Sequence, residues 1–507
     1  MDVFSHLADG FVVALSFNNI GLAIIGCILG TIFGALPGLG PANGVAILIP
    51  LSFALGLPPA SSMILLCSVY YGAMYGGRIS SILLNIPGDE PALMTTLDGY
   101  PMTLNGRAGE ALTLTGIASF FGAMLATFGL VFLAPQLVDI ALLFRPHEYF
   151  VLFVMAFATL GSASSDNKIK TILASAIGIA ISTIGIDNQT GVPRFSFGEV
   201  HLYDGIDFLI VIVGLFAVSE VFIFIENHKS KEDFNMNKDV KISTIVPNIK
   251  VFFKTIPSMI RGSLLGFIAG ILPGAGASLG SFIAYTFEKK ISDKNKTFGK
   301  GDERGVTAPE AGNNAAAGGA LVPMLALGVP GSGTTAVLLA MLLTMNITPG
   351  PLLFEKNPDV VWGLIASLFI GNIVLLILNI PMVRVFAKVL LLPPKFLMPI
   401  IIIVSFVGVY GLTGSTFDLV MLTIFGILGW IFRKLDIPLV PVVMGSVLGN
   451  LMEVNLRRAM TISNGNWFDL FSSNICIILW LITFVAFILP MFLNIKLPSL
   501  KKNNKQT

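Results

Sequence analysis

Charge is what this chain has least of. Asp, Glu, Lys and Arg make up 12% of its 507 residues, about half the share of an ordinary soluble domain. No charged residue stands between Asp9 and Arg78, and the mean hydropathy is +0.85. A soluble globular fold and a disordered chain are both excluded by that balance. Cysteine is nearly missing too. Cys27, Cys67 and Cys476 lie in apolar stretches without a CxxC spacing, which removes a disulfide scaffold and leaves buried small hydrophobes. The four histidines (His6, His147, His201, His228) show no metal-ligand spacing, so no cofactor or metal is expected beyond a coupling ion. No GxxxxGK[ST] occurs, which leaves an ATP-driven pump without its phosphate loop. The ten-residue alternation of a transmembrane β-barrel is absent. "MDVFSHLADGF" has no basic n-region, and no removable signal peptide is expected. A net charge of +2 gives no signal for nucleic acid.

Long apolar runs fill the space that charge leaves. Segments 110–134, 148–163, 169–186, 206–226, 360–380, 396–413, 417–432 and 474–494 are of the length that crosses a hydrocarbon core of about 30 Å. By that rule the chain holds roughly 11–14 hydrophobic segments and reads as an all-α polytopic membrane protein. Basic residues are unevenly placed: residues 1–225 hold six of the 31 Lys and Arg. Of the other 25, 16 lie in "ENHKSKEDFNMNKDVKISTIVPNIKVFFK", "EKKISDKNKTFGKGDERG" and the tail "KLPSLKKNNKQT", which the positive-inside bias assigns to the cytoplasm. The C-terminus is therefore expected there.

The chain also resembles itself. "GCILGTIFGALPGLGPANGVAI" (26–47) aligns without gaps on "GSLLGFIAGILPGAGASLGSFI" (262–283), with 11 of 22 positions identical at an offset of 236. A weaker echo links "GGRISSILLNIPG" (76–88) to "GGALVPMLALGVPG" (318–331). Two halves follow: residues 1–225 and 257–507, joined by a basic cytoplasmic linker, 226–256. Arg261, Lys289 and Lys290 flank the second copy, whereas the first has no basic neighbour; that favours opposite orientation in the bilayer. Each copy is either a re-entrant hairpin or a broken helix that crosses fully. The GxxxGxxxG runs at 26–34 and 262–270 also suit simple close packing of helices.

The breaks themselves carry the chemistry. Proline blocks the helix behind it, and glycine opens backbone angles closed to other residues. Freed amides and carbonyls persist at membrane depth only where they line a cavity or are buried in protein. A half-helix N-terminus suits a carboxylate, and unwound carbonyls suit Na⁺. Pro37, Gly38, Gly40 and Asn43 of the first copy, and Pro273, Gly274, Gly276 and Ser278 of the second, are accordingly expected around substrate, with Asn314, Ser332 and Thr334. Asn85, Gly88, Asp89, Asn313, Gly331 and Thr335 are expected at the ion. Carboxylates within a membrane are costly and mark function; the competing reading of "NIPGDEP" is a loop emerging into water, with Asp89 or Asp98 as a helix cap. Polar residues near the second break could equally be glue between helices.

At these residues the chain resembles the large permease subunit of the tripartite tricarboxylate transporters, the TctA type. The stretches that carry the resemblance are "GALPGLGPANGVAILIPLSF", "YYGAMYGGRISSILLNIPGDEPALMTTLDGYPM", "GRAGEAL", "LPGAGASLGSFIAY", "FGKGDERGVTAPEAGNNAAAGGALVPMLALGVPGSGTTAVLL" and "PGPLLF". They span most of residues 20–355; Gly312 stands where the family pattern has Ala. The resemblance implies a bacterial inner-membrane importer of carboxylates driven by an ion gradient, usually Na⁺. It also implies two partners: a periplasmic solute-binding protein and a small membrane subunit of the TctB type. An intramembrane protease is the rival among enzymes, but Ser332 has no evident base within reach and Asp89 no second membrane Asp. A channel would need no paired breaks.

Overall fold

The computed structural model describes residues 3–163, 168–187, 189–227, 247–274, 276–389 and 397–492. Most of the basic linker and the basic C-terminal tail therefore lie outside the described residues. Seven helices among them are long and apolar enough to cross a bilayer: Phe17–Ala35, Ala108–Ala141, Phe208–Glu226, Ile249–Ile271, Pro358–Asn379, Thr416–Lys434 and Leu439–Ile462. Five shorter apolar helices accompany them, so the all-α polytopic architecture stands. Regular strand is confined, among the described residues, to Gly185–Ile186 paired antiparallel with Pro193–Arg194.

Small residues decide how these helices pack. Helix Phe17–Ala35 lies along Pro59–Leu84, with Gly26, Gly30 and Gly34 facing Leu65, Val69 and Ala73. A Cβ on Gly30 would fall 2.2 Å from the Val69 carbonyl oxygen, so the backbones touch with no side chain between them. The second copy does the same: Gly262, Gly266 and Gly270 of helix Ile249–Ile271 face Ala308, Gly312 and Ala316 of helix Glu303–Gly319. There a Cβ on Gly266 would sit 2.1 Å from the Gly312 oxygen. Without a hydrophobic drive between helices in lipid, such close contact is what holds them.

Both glycine-lined helices turn back on themselves. Phe17–Ala35 is followed by Gly40–Ala54, and Ile249–Ile271 by Gly276–Ser292. Helix Ile249–Ile271 runs through residue 256 without a break. The loop before Glu303 is tied to helix Leu93–Leu104 by Asp98, which is wholly buried. Its Oδ1 accepts the backbone N–H groups of Gly299 (2.8 Å), Gly301 (2.9 Å) and Asp302 (2.9 Å), and its Oδ2 accepts the Tyr285 hydroxyl at 3.0 Å. Asp98 is thus an acceptor at the centre of a loop, and not the helix cap that its sequence setting allowed.

Candidate functional site

Four interruptions of the chain define the site, and each follows from its local sequence. Leu36 and Leu272 leave the helical region with ψ of 114° and 117°. After each comes Pro-Gly, and then glycine conformations closed to other residues: Gly38 at φ +90° and Gly40 at +60°, Gly274 at +77° and Gly276 at +67°. The other two interruptions begin with a left-handed residue, Asn85 at φ 59° and Gly328 at φ 70°. Pro87-Gly88 and Pro330-Gly331 follow them.

Within each half the two interruptions meet. A Cβ on Gly40 would lie 3.8 Å from the Cβ of Asp89; one on Gly276 would lie 3.9 Å from the Cβ of Ser332. Gly88 packs against Gly34 and Gly77, and its N–H points at the Gly77 carbonyl at 3.4 Å. Gly331 packs against Ala320, and its carbonyl accepts the Gly276 N–H at 3.1 Å. Near the breaks, side chains link the halves. Ser278 donates to Glu90 at 3.3 Å. Tyr70, fully buried, donates to the Ala317 carbonyl at 3.3 Å and lies against Ser332. Pro273 and Pro37 face different neighbours: the Pro273 carbonyl accepts the Thr159 hydroxyl, while Gly38 faces the Glu220 carboxylate, which pairs with Arg433.

Buried polar atoms without partners occur at the first pair of breaks and on helix Glu303–Gly319. Asp89 Oδ1 accepts the Ala92 N–H at 3.1 Å, but its Oδ2 is buried and unpartnered. Asn43 donates to the Gly38 carbonyl at 3.2 Å, and its Oδ1 is bare. Asn314 donates to the Glu310 carbonyl at 3.1 Å with Oδ1 bare, and neither side-chain atom of the buried Asn313 has a partner. Buried polar atoms nearly always find partners, so these exceptions mark positions where water, an ion or a ligand belongs. Ser332 and Thr335 behave otherwise. They form a closed cap at the start of helix Gly333–Thr344: Thr335 N–H to Ser332 Oγ at 3.2 Å, Ser332 N–H to Thr335 Oγ1 at 2.8 Å. Thr334 is buried in the same turn.

A buried charge set flanks the breaks, and sequence spacing gave little warning of it. Glu310, noted above only inside its motif, is fully buried and accepts hydroxyls from Thr95 (2.5 Å) and Ser119 (3.2 Å). Arg78 is buried as completely. It donates to the Leu112 carbonyl, to Thr115 at 3.0 Å and to Asn379 at 3.3 Å, and its Nε is left over. The signal for both was burial of charge in an apolar stretch; their partners come from helices far away in sequence. A cavity of about 370 Å³ lies elsewhere, between residues 181–208 and helix Leu439–Ile462. Asp187, Arg194, Glu453 and Arg457 line it, and none of the break residues does.

The family description "Tripartite tricarboxylate transporter TctA family" matches residues 20–444. The chain belongs to that family. TctA is a transporter family, not an enzymatic one, and this TctA-family chain is a multi-pass membrane protein of that class. It is 38% identical over 467 residues to "Uncharacterized 52.8 kDa protein in TAR-I ttuC' 3'region" of Agrobacterium vitis, covering 92% of each chain. A second A. vitis protein, from the TAR-II ttuC' 3'region, is 40% identical over 201 residues, 40% of this chain and 83% of its own. An uncharacterized protein of Methanocaldococcus jannaschii is 24% identical over 279 residues, 55% and 63% of the two chains. No solved structure matches this TctA-family chain.

Proposed function

We propose that this chain is the pathway-forming subunit of a secondary active importer of small carboxylates in a bacterial inner membrane, driven by Na⁺. It works with a periplasmic solute-binding protein and a small TctB-type membrane subunit. The observation that carries this reading is the contact of four chain breaks, Gly40 with Asp89, Gly276 with Ser332 and Ser278 with Glu90, with the buried Asn43 and Asp89 oxygens left without partners at the first pair. Such backbone is tolerated at membrane depth where it surrounds a hydrophilic passenger.

The halves are read as duplicated and inverted copies. Support comes from the recurring glycine contacts, Gly30 on Val69 and Gly266 on Gly312, and from the recurring break pairs, Gly40 with Asp89 and Gly276 with Ser332. Asp89, with the amide oxygens of Asn43 and Asn314, offers the hard oxygen ligands a monovalent cation takes. The N-terminal turn of helix Gly333–Thr344 offers N–H groups and a dipole to a carboxylate. Import then needs both solutes bound before the breaks open to the other side.

The test is uptake into proteoliposomes holding this chain with its small subunit and binding protein. An inward Na⁺ gradient is expected to drive accumulation of a radiolabelled di- or tricarboxylate above its external concentration. Equal accumulation with a K⁺ gradient would remove Na⁺ from the mechanism. Equilibration without accumulation would replace the importer by a channel.

A further inference from the structure

Two helices far apart in the chain start side by side. Helix Pro146–Ala163 packs against Asn474–Phe492, and their first turns bring His147, Glu148 and Cys476 together. All three side chains are buried, and one ligand atom from each lies within 4.8 Å of the other two. His147 Nε2 and Glu148 Oε1 are 3.3 Å apart. That separation is close to the edge of a tetrahedron with bonds of about 2.0–2.1 Å, the lengths zinc makes to nitrogen and oxygen. Three atoms no more than 4.8 Å apart are all reached from some point about 2.8 Å away or less, against zinc bonds of about 2.0–2.3 Å. Shifts of well under an ångström in three side chains close that gap.

We propose that His147, Glu148 and Cys476 bind one Zn²⁺ that pins the last helix of the chain to helix Pro146–Ala163. Imidazole, thiolate and carboxylate together form a borderline-soft set suited to zinc and poorly suited to Na⁺, Mg²⁺ or Ca²⁺. Outer contacts that orient metal ligands are already in place. Glu148 Oε2 accepts the Arg145 N–H at 2.7 Å, which leaves Oε1 turned toward His147. The Ser473 hydroxyl, bonded to the Cys476 N–H at 3.0 Å, also lies beside the thiol. Three protein ligands leave a fourth position for water. An ion shared by two helices stabilises their packing, because it binds the assembled pair and not the separated helices. The site is independent of the transport reading, since its residues belong to none of the four breaks.

Purified full-length protein, stripped with chelator and dialysed, is titrated with Zn²⁺ and, separately, with Co²⁺. About one Zn²⁺ per chain is expected, with a rise of a few degrees in the thermal midpoint in detergent. Co²⁺ is expected to give the near-ultraviolet sulfur-to-metal band of a cobalt thiolate. Cys476→Ser should abolish that band, His147→Asn and Glu148→Gln should weaken zinc binding at least tenfold, and Cys67→Ser should change neither. Should Cys476→Ser fail to fold, protection of the Cys476 thiol from alkylation by stoichiometric Zn²⁺ in the otherwise unaltered protein decides the matter. No cobalt–sulfur band, or unchanged zinc affinity in His147→Asn, overturns the site.

Discussion

The two pairs of breaks share a backbone and differ in chemistry. In the first half the glycine turn faces Asp89, whose Oδ2 is buried without a partner. In the second the equivalent turn faces Ser332, whose hydroxyl and N–H are both engaged in a cap with Thr335. In the proposed importer the first half supplies the cation's ligand, and the second, its cap already satisfied, supplies its helix end to the anion. The difference teaches that like geometry need not mean like ligand. On the proposed reading, a duplicated scaffold lets one copy specialise in the coupling ion and the other in the anion.

The widest effect should come from removing what the halves share. Gly30→Leu and Gly266→Leu each force a side chain into a carbonyl oxygen 2.2 or 2.1 Å from the new Cβ. Backbone on both sides leaves little room to yield, so the cost exceeds the usual overpacking range of about 1–3 kcal/mol. Both variants are expected to lose most folded protein on size-exclusion chromatography. Loss in one half alone would break the likeness between them.

A smaller but sharper effect separates the halves. Asp89→Asn keeps shape and removes charge. A hydrogen bond or contact to a charged group is worth about 1.5–3 kcal/mol, so Na⁺-dependent uptake should fall about tenfold to a hundredfold at limiting Na⁺, with the protein folded. Asn314→Ala should act in the same direction and less. Uptake kinetics unchanged in both would withdraw these residues from the site. Ser332→Ala removes a helix cap, typically worth about 1 kcal/mol. It should lower stability modestly and raise the half-saturating substrate concentration while leaving the Na⁺ dependence alone. A shifted Na⁺ dependence would argue that both halves serve the ion.

The least effect belongs to the loop outside the membrane. Asp187 is held down to about 2 by the Gln189 N–H first and then by Arg457 and Arg194. A carboxyl depressed in the folded state contributes fully above its unfolded value near 3.9 and loses that contribution as pH falls toward the folded value. Hydrogen exchange of residues 183–207 should therefore be flat from pH 8 to 5 after correction for intrinsic rates, and rise only below about pH 4. Asp187→Asn should raise it from pH 8 to 5, with the difference from the unaltered protein shrinking as pH falls below about 4.

Much of this arrangement is legible in the chain. The Pro-Gly interruptions, their recurrence along the chain and the small-residue faces are patterns within short stretches of sequence, and such patterns survive folding. Asn85, expected at the ion from its motif, is left-handed and opens the break before Pro87-Gly88. Glu310 with Thr95 and Ser119 was not foreseeable, because its partners come from two other helices. Tyr70 beside Ser332 was hidden for the same reason. His147 and Cys476 show the limit most clearly: spacing rules see neighbours in sequence, and these two meet only when distant helices pack.

Asp98 carries a further consequence. Its carboxylate belongs to the first half, and the three amides it holds belong to the loop of the second that leads into helix Glu303–Gly319. Prising them apart would strand a desolvated anion together with its donors. Whichever part of the protein travels when cargo crosses must therefore take helix Leu93–Leu104 and residues 299–302 along as fellow passengers, and the seam along which the molecule parts has to run somewhere else.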